Sequence, residues 1–290
     1  MNKNKIYNVW FSVPALALYL VLFISPVILN FGYSLTNWNA IKLTGETAKY
    51  IGMRNFQKIF QDPELTAIIV RTIWFAFVTT IFKNIFGLLL ALVLNEGFRS
   101  KEALRAVYFL PSMLSPLIIG LIFGSLLMTN GFVNQLLTAV GLEHLTRPWL
   151  TTAFTALGST MMVDIWKQVG FNMVIYLAGL QLIDKTYYEA ADLDGATYFD
   201  KLHYITLPRM IPSVIINLLL NMSQGLKTFD IVYVLTNGGP NGATELINTQ
   251  VYKQFGQKLY GMSSAYGVIM FVVTAIFGIM ILRINSEQDN

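Results

Sequence analysis

Cysteine is absent from the 290 residues. That removes disulfides, thiolate metal ligands and cysteine nucleophiles together. Charge is scarce as well: Asp, Glu, Lys and Arg make up 12% of the chain, against roughly 25% in a typical soluble domain. The only two histidines, His144 and His203, stand in polar stretches without partner ligands at metal spacing, so no metal role is assigned to either. A Gly-x-x-x-x-Gly-Lys-Ser/Thr phosphate loop is missing too, and nucleotide hydrolysis is not expected of this chain. Basic residues are nowhere concentrated in one segment, and a diffuse net charge of +4 argues against nucleic acid as a partner.

Apolar surface is what the chain has in quantity, with 54% hydrophobic residues and a positive mean hydropathy. A helix needs about 20 apolar residues to cross the hydrocarbon of a bilayer. Six stretches qualify, at about 9–33, 69–94, 107–128, 153–183, 211–235 and 262–283. The expected fold is therefore all-α, a polytopic membrane protein of six transmembrane helices forming one domain over residues 1–290. None of the connections is long enough for a separate soluble domain. Lys3 and Lys5 precede the first apolar stretch in the manner of a signal peptide, but no clear small-residue cleavage site follows, and the stretch reads as a retained span. An even number of spans places both termini on one side. Lys3, Lys5, Arg99, Lys101, Arg105, Lys185, Lys201, Arg209 and Arg283 make the shorter segments of that side the denser in positive charge, so the termini are expected in the cytoplasm. On the opposite side, Phe56, Ile59 and Phe60 share one face of a short helix, which either lies on the membrane surface or packs on its own bundle.

Polar residues inside spans are expensive and face the bundle interior or a cavity. Lys83 and Asn84 in the second span should face protein, Asp164 and Lys167, three residues apart in the fourth, are expected to form an internal ion pair rather than a proton relay, and Arg71 snorkels at a span edge. In the fifth span Asn217, Asn221, Gln224 and Thr228 follow i, i+4, i+7, i+11 spacing and share a face. Such a column serves either as hydrogen-bonding glue between helices or as a wall suited to sugar hydroxyls, which both donate and accept. The loop at 184–210 is polar. There Thr186-x-x-Glu189 fits a capping box, Gly195 suits the left-handed turn that ends a helix, a second helix begins near Thr197, and Pro208 and Pro212 halt it.

The string Tyr188-Glu189-Ala190-Ala191-Asp192-Leu193-Asp194-Gly195-Ala196, followed by Ile205-Thr206-Leu207-Pro208, resembles the EAA loop of binding-protein-dependent ABC importer permeases. A second string, Phe229-Asp230-x-x-Tyr233-Val234-Leu235-Thr236-Asn237-Gly238-Gly239-Pro240, is similar to a segment of carbohydrate permeases of the maltose and glycerol-phosphate type. Asp164-Ile165-Trp166-Lys167 with Gly170-Phe171, and Asn55-Phe56 with Asp62-Pro63, extend the likeness over most of the chain.

The resemblance implies a type I ABC importer permease fold, with core helices over about 69–283, in the bacterial cytoplasmic membrane. It also implies a second, homologous permease, two ATPase subunits that bind the ATP and Mg, an extracytoplasmic binding protein and a sugar cargo. No cofactor and no catalytic residue are then expected in this chain. Glu189, Ala190, Ala191, Asp192 and Gly195 would couple to the ATPase, and Asn221, Gln224, Gly225, Thr228, Lys167, Gln168 and Phe171 would line the substrate path. Other readings are a permease for glycerol-phosphate, amino acids or peptides, and an ion-coupled secondary transporter, which would show inverted repeats that the sequence does not display.

Overall fold

The computed structural model describes residues 12–40, 48–96 and 100–286; Lys3, Lys5, Arg99 and the start of the expected first span at Val9 lie outside them. Its regular elements are helices: α1 (Val13–Ser34), α2 (Arg54–Gln61), α3 (Pro63–Asn95), α4 (Lys101–Met113), α5 (Pro116–Leu126), α6 (Phe132–Ala139), α7 (Ala153–Gln181), α8 (Lys185–Leu193), α9 (Tyr198–Leu226), α10 (Asp230–Thr236), α11 (Ile247–Gly256) and α12 (Tyr260–Ser286). Two compact units emerge, one of residues 1–66 with 250–272, the other of 67–249 with 273–290.

In the first unit Trp38 lies between Tyr33 and Tyr260, with ring centroids 4.5 and 4.8 Å away. The Gly261 amide donates to the Trp38 carbonyl at 3.1 Å. Helix α2 turns Asn55 and Ile59 inward and leaves Phe60 exposed. The Asn55 amide donates to the carbonyls of Ser34 and Thr36 at 2.7 and 2.9 Å, satisfying the backbone where α1 ends. Of the two roles expected for this short helix, packing on its own unit is the one observed.

In the second unit two apolar clusters hold the helices. Phe75, Ile119, Val163, Ile231 and Val232 form one, and Ala91, Leu94, Met173, Tyr176 and Met210 the other. Helices meet where side chains are small, the usual solution when lipid is as apolar as the core. The tightest crossing is α4 on α7, where Gly170 lies directly against the backbone of Tyr108 and Phe109.

Among the described residues, four helices are long and apolar enough to cross a membrane: Val13–Ser34, Pro63–Asn95, Tyr198–Leu226 and Tyr260–Arg283. A fifth is reached if α4 and α5 count as one broken span, bent by 97°. The span expected over 107–128 corresponds to this bent pair. Ser115 precedes Pro116, is driven to extended backbone (ψ 135°), and caps α5 by accepting from the Leu117 amide. The expected fifth span at 211–235 is displaced. Pro208 and Pro212 do not halt the helix, because a π turn over Leu202–Thr206 makes room for Pro208, and α9 runs on to Leu226. Residues Asp230–Thr236 then form the separate α10. Arg71 does not snorkel; its guanidinium donates to the Glu245 carbonyl at 3.0 Å.

A Cβ at residue 170 would collide with the Tyr108 carbonyl, whereas Gly158 on the same helix has open space. Gly170→Val should destabilise the detergent-purified protein by about 1–3 kcal/mol, with Gly158→Ala close to neutral, measured by thermal unfolding.

Candidate functional site

The polar loop forms a helix, a glycine turn and a second helix. Asp184 caps α8, its carboxylate accepting from the Thr186 amide at 2.9 Å. That bond holds the Asp184 carboxyl below the usual carboxylate range. The capping box expected at Thr186 and Glu189 is corrected accordingly, since the N-cap is Asp184 and the helix starts two residues earlier than that pattern requires. A box does form at the next helix, where Thr197 and Asp200 cap one another; the Thr197 hydroxyl, then its amide, lower the Asp200 carboxyl. Between them Gly195 has φ +77°, a value that costs an L side chain energy. The Ala196 amide closes the turn on the Ala191 carbonyl at 2.9 Å.

Three contacts fasten α8 to α9. The Lys201 ammonium pairs with Asp192 at 2.5 Å, the hydroxyls of Tyr188 and Thr206 are 3.0 Å apart, and the Arg209 guanidinium lies 3.5 Å above the Tyr187 ring. Asp192 is thus engaged within the chain. Ala190 is exposed and Ala191 half-exposed. Leu193 is 92% exposed and Phe199 76% exposed, a large apolar display on an otherwise polar loop. Glu189 is exposed beside them, and its carboxylate makes no hydrogen bond or ion pair among the described residues.

Elsewhere in the same unit, α3, α7, α9 and α10 surround a cavity of about 350 Å³. Gln168, Ser223, Gln224 and Thr228 give it neutral donors and acceptors, while Lys83, Asp164, Lys167, Lys227 and Asp230 give it charge. Of the residues expected on the substrate path, Lys167, Gln168, Gln224 and Thr228 come together here. Phe171 is half-buried and does not line the cavity, and two further residues are accounted for by helix packing. Asn221 is buried, exchanging amide hydrogen bonds with Asn172 of α7 and donating also to the Asn217 carbonyl at 2.8 Å. Gly225 lies against Ala76 of α3, where a Cβ would come within 2.8 Å of the Ala76 Cα. Tyr176 donates to Asn84 at 2.5 Å, with Asn217 beside the same hydroxyl.

The ion-pair partner of Asp164 is not Lys167. Asp164 meets Lys83 of α3 at 2.6 Å, and the Lys83 side chain is 1% exposed. Spacing along one helix pointed to Lys167, but the i+3 residue projects into the cavity while a buried ammonium on the neighbouring helix faces the carboxylate. Lys83, Asp164, Ser223, Lys227 and Asp230 line the cavity without having been assigned to the substrate path from sequence. Opposite charges in two different spans were the available signal.

A family model described as binding-protein-dependent transport system inner membrane component matches residues 83–288. The trehalose/maltose transport system permease protein MalF of Thermococcus litoralis is 34% identical over 275 residues, covering 94% of this chain and 91% of that protein. The probable ABC transporter permease protein YurN of Bacillus subtilis is 32% identical over 287 residues, 98% of this chain and 97% of its own length. Among solved structures, a chain of a bacterial ABC transporter involved in the import of the acidic polysaccharide alginate is similar, with a TM-score of 0.81 and 25% identity over 96% of this chain and 94% of that one.

Lys83→Met should strand the Asp164 carboxylate among buried groups and destabilise the protein by about 3–5 kcal/mol, whereas Lys83→Met with Asp164→Leu should recover most of that loss. Thermal unfolding of the two variants in detergent measures the difference.

Proposed function

The chain belongs to the family of binding-protein-dependent transport system inner membrane components, and from that premise we propose that it is the permease subunit of an ATP-driven importer for a sugar or oligosaccharide. The observation that carries this reading is the loop at 184–210: a capped, fastened helix–glycine–helix unit that leaves Leu193 and Phe199 exposed and, among the described residues, gives Glu189 no partner. An apolar ridge with one acid at its flank suits a groove on a partner subunit better than it suits water.

On this reading Ala190 and Ala191 permit close approach, Glu189 meets polar or basic groups of an ATPase subunit, and Gly195 allows the turn. Asp192 contributes indirectly by tying α8 to α9. ATP and Mg are held by two such ATPases, with no cofactor in this chain. A second, related permease completes the path, and an extracytoplasmic binding protein delivers the cargo. Closure of the ATPases drives alternating access between the two faces of the membrane.

Six spans follow if the bent pair α4–α5 is one and α7 is another. Helix α7 is 29 residues long, enough for about 43 Å at 1.5 Å per residue. Its Asp164, Lys167 and Gln168 turn to the cavity rather than to lipid, which supports its crossing despite its polarity. Both termini are then cytoplasmic, on the side of the 184–210 loop.

The neutral groups Gln168, Ser223, Gln224 and Thr228 suit sugar hydroxyls, and the trehalose/maltose name of one relative and the alginate of one neighbour point to the same cargo class.

Glu189→Lys or Gly195→Val should leave membrane insertion intact while substrate uptake by the assembled transporter falls at least about tenfold, the equivalent of about 1.4 kcal/mol in coupling. Unchanged uptake alongside unchanged substrate-stimulated ATP hydrolysis removes the loop from the coupling role. Gln224→Ala should change the ranking of sugars in a competition uptake assay, and an identical ranking counts against the cavity as the path.

A further inference from the structure

Charge in the cavity exceeds what a neutral sugar requires. Five ionisable side chains line it, three lysines (Lys83, Lys167, Lys227) and two aspartates (Asp164, Asp230). One lysine and one aspartate are spent on each other, since the buried Lys83 ammonium sits 2.6 Å from Asp164. Lys167, Lys227 and Asp230 remain, and among the described residues neither lysine forms an ion pair within 4.0 Å. The wall contributed by this chain therefore carries one more positive than negative charge.

The two lysines reach the cavity from different elements, Lys167 from the middle of α7 and Lys227 from the C-cap of α9. A helix C-terminus favours a cation, and Lys227 stands at one. Next to it stand Thr228 and Gln224, which bind without charge. Neutral hydroxyls need only such groups. An unpaired ammonium at membrane depth is costly, and a cavity built for a cation would hold an excess of acid. The same site thus combines a neutral hydrogen-bonding wall with a point-like positive charge, complementary to a molecule that has hydroxyls on most of its surface and one anionic group.

We infer that the cavity selects a saccharide bearing a negatively charged substituent, a carboxylate, sulfonate or phosphate, and that Lys227, assisted by Lys167, is the specificity-determining residue that reads it. The inference rests on the cavity being the path of a sugar. A lysine suits all three anions because it acts as a point charge, where arginine would favour bidentate geometry.

The test uses the complete transporter, with its second permease, ATPases and binding protein, in proteoliposomes. Import is measured for a neutral trisaccharide, for the same trisaccharide with one hexose oxidised to a hexuronate, and for its sulfonated analogue, supplied together. The readout is the ratio of acidic to neutral import in one sample, which does not depend on how much of a variant inserts, and the binding protein is the same throughout. The wild type should import at least one acidic trisaccharide in preference to the neutral one. Lys227→Gln should lower the ratio about tenfold, Lys167→Gln should lower it less, and Lys227→Arg should retain most of the preference. A wild-type preference for the neutral trisaccharide, or a ratio unmoved by Lys227→Gln, overturns the inference while leaving the saccharide reading in place. Import of none of the three overturns the saccharide reading itself.

Discussion

Hydrocarbon offers no hydrogen-bonding partner, so every polar side chain within a membrane-crossing segment must be satisfied by another part of the protein or by a water-accessible cavity. Much of the second unit follows from that constraint. Asn172 and Asn221 exchange amide bonds between α7 and α9, Tyr176 donates to Asn84 between α7 and α3, and Lys83 meets Asp164 across the same two helices. Each bond joins different helices, so satisfying the polar groups also sets which helices are neighbours. The side chains left over, Gln168, Ser223, Gln224 and Thr228 with the remaining charges, are the ones that open to the cavity. The cavity is thus lined by polar side chains that no interhelical bond engages among the described residues, together with the Lys83–Asp164 pair.

This division explains what could and could not be read from sequence. Apolar length gave the helices and most of their positions, because the cost of exposing backbone to lipid depends only on local composition. The turn at Gly195 and the helix starting at Thr197 were legible for the same reason, being set by residues within a few positions of each other. Partners on different helices were not. The column Asn217, Asn221, Gln224, Thr228 was correctly seen as one face, yet that face passes from a packed interface at Asn217 and Asn221 to the cavity at Gln224 and Thr228. Helical spacing gives the angle of a side chain about its own axis and says nothing of what stands opposite. Asp164 was assigned to Lys167 on that ground, when its partner lies 81 positions away in sequence, on α3. The bend at Ser115 escaped notice for the reverse reason: two apolar stretches separated by a short break have nearly the composition of one straight span.

The loop at 184–210 and the cavity are joined by a single element. Helix α9 begins at Tyr198, takes the Lys201, Thr206 and Arg209 contacts that fasten α8, and carries Ser223 and Gln224 into the cavity before ending at Leu226. Over its 29 residues it extends about 43 Å at 1.5 Å per residue. The three side-chain contacts thus tie α8 to a helix that packs against α7 between Met210 and Asn221.

Those contacts differ in what they resist. The Asp192–Lys201 pair, with Asp192 largely exposed, is screened by salt and weak alone. The Tyr188–Thr206 bond and the stacking of Arg209 on Tyr187 add short-range restraints at two further points along α9, and three separated points fix both the position and the tilt of α8 relative to it. The π turn over Leu202–Thr206 lies within this fastened stretch. It makes a proline tolerable in a continuous helix, and it lies between the loop at 184–197 and the cavity at Ser223 and Gln224. A local widening there can absorb a change in helix register while the contacts on either side persist. The proposed coupling loop and the cavity wall at Gln224 are thus two ends of the same helix.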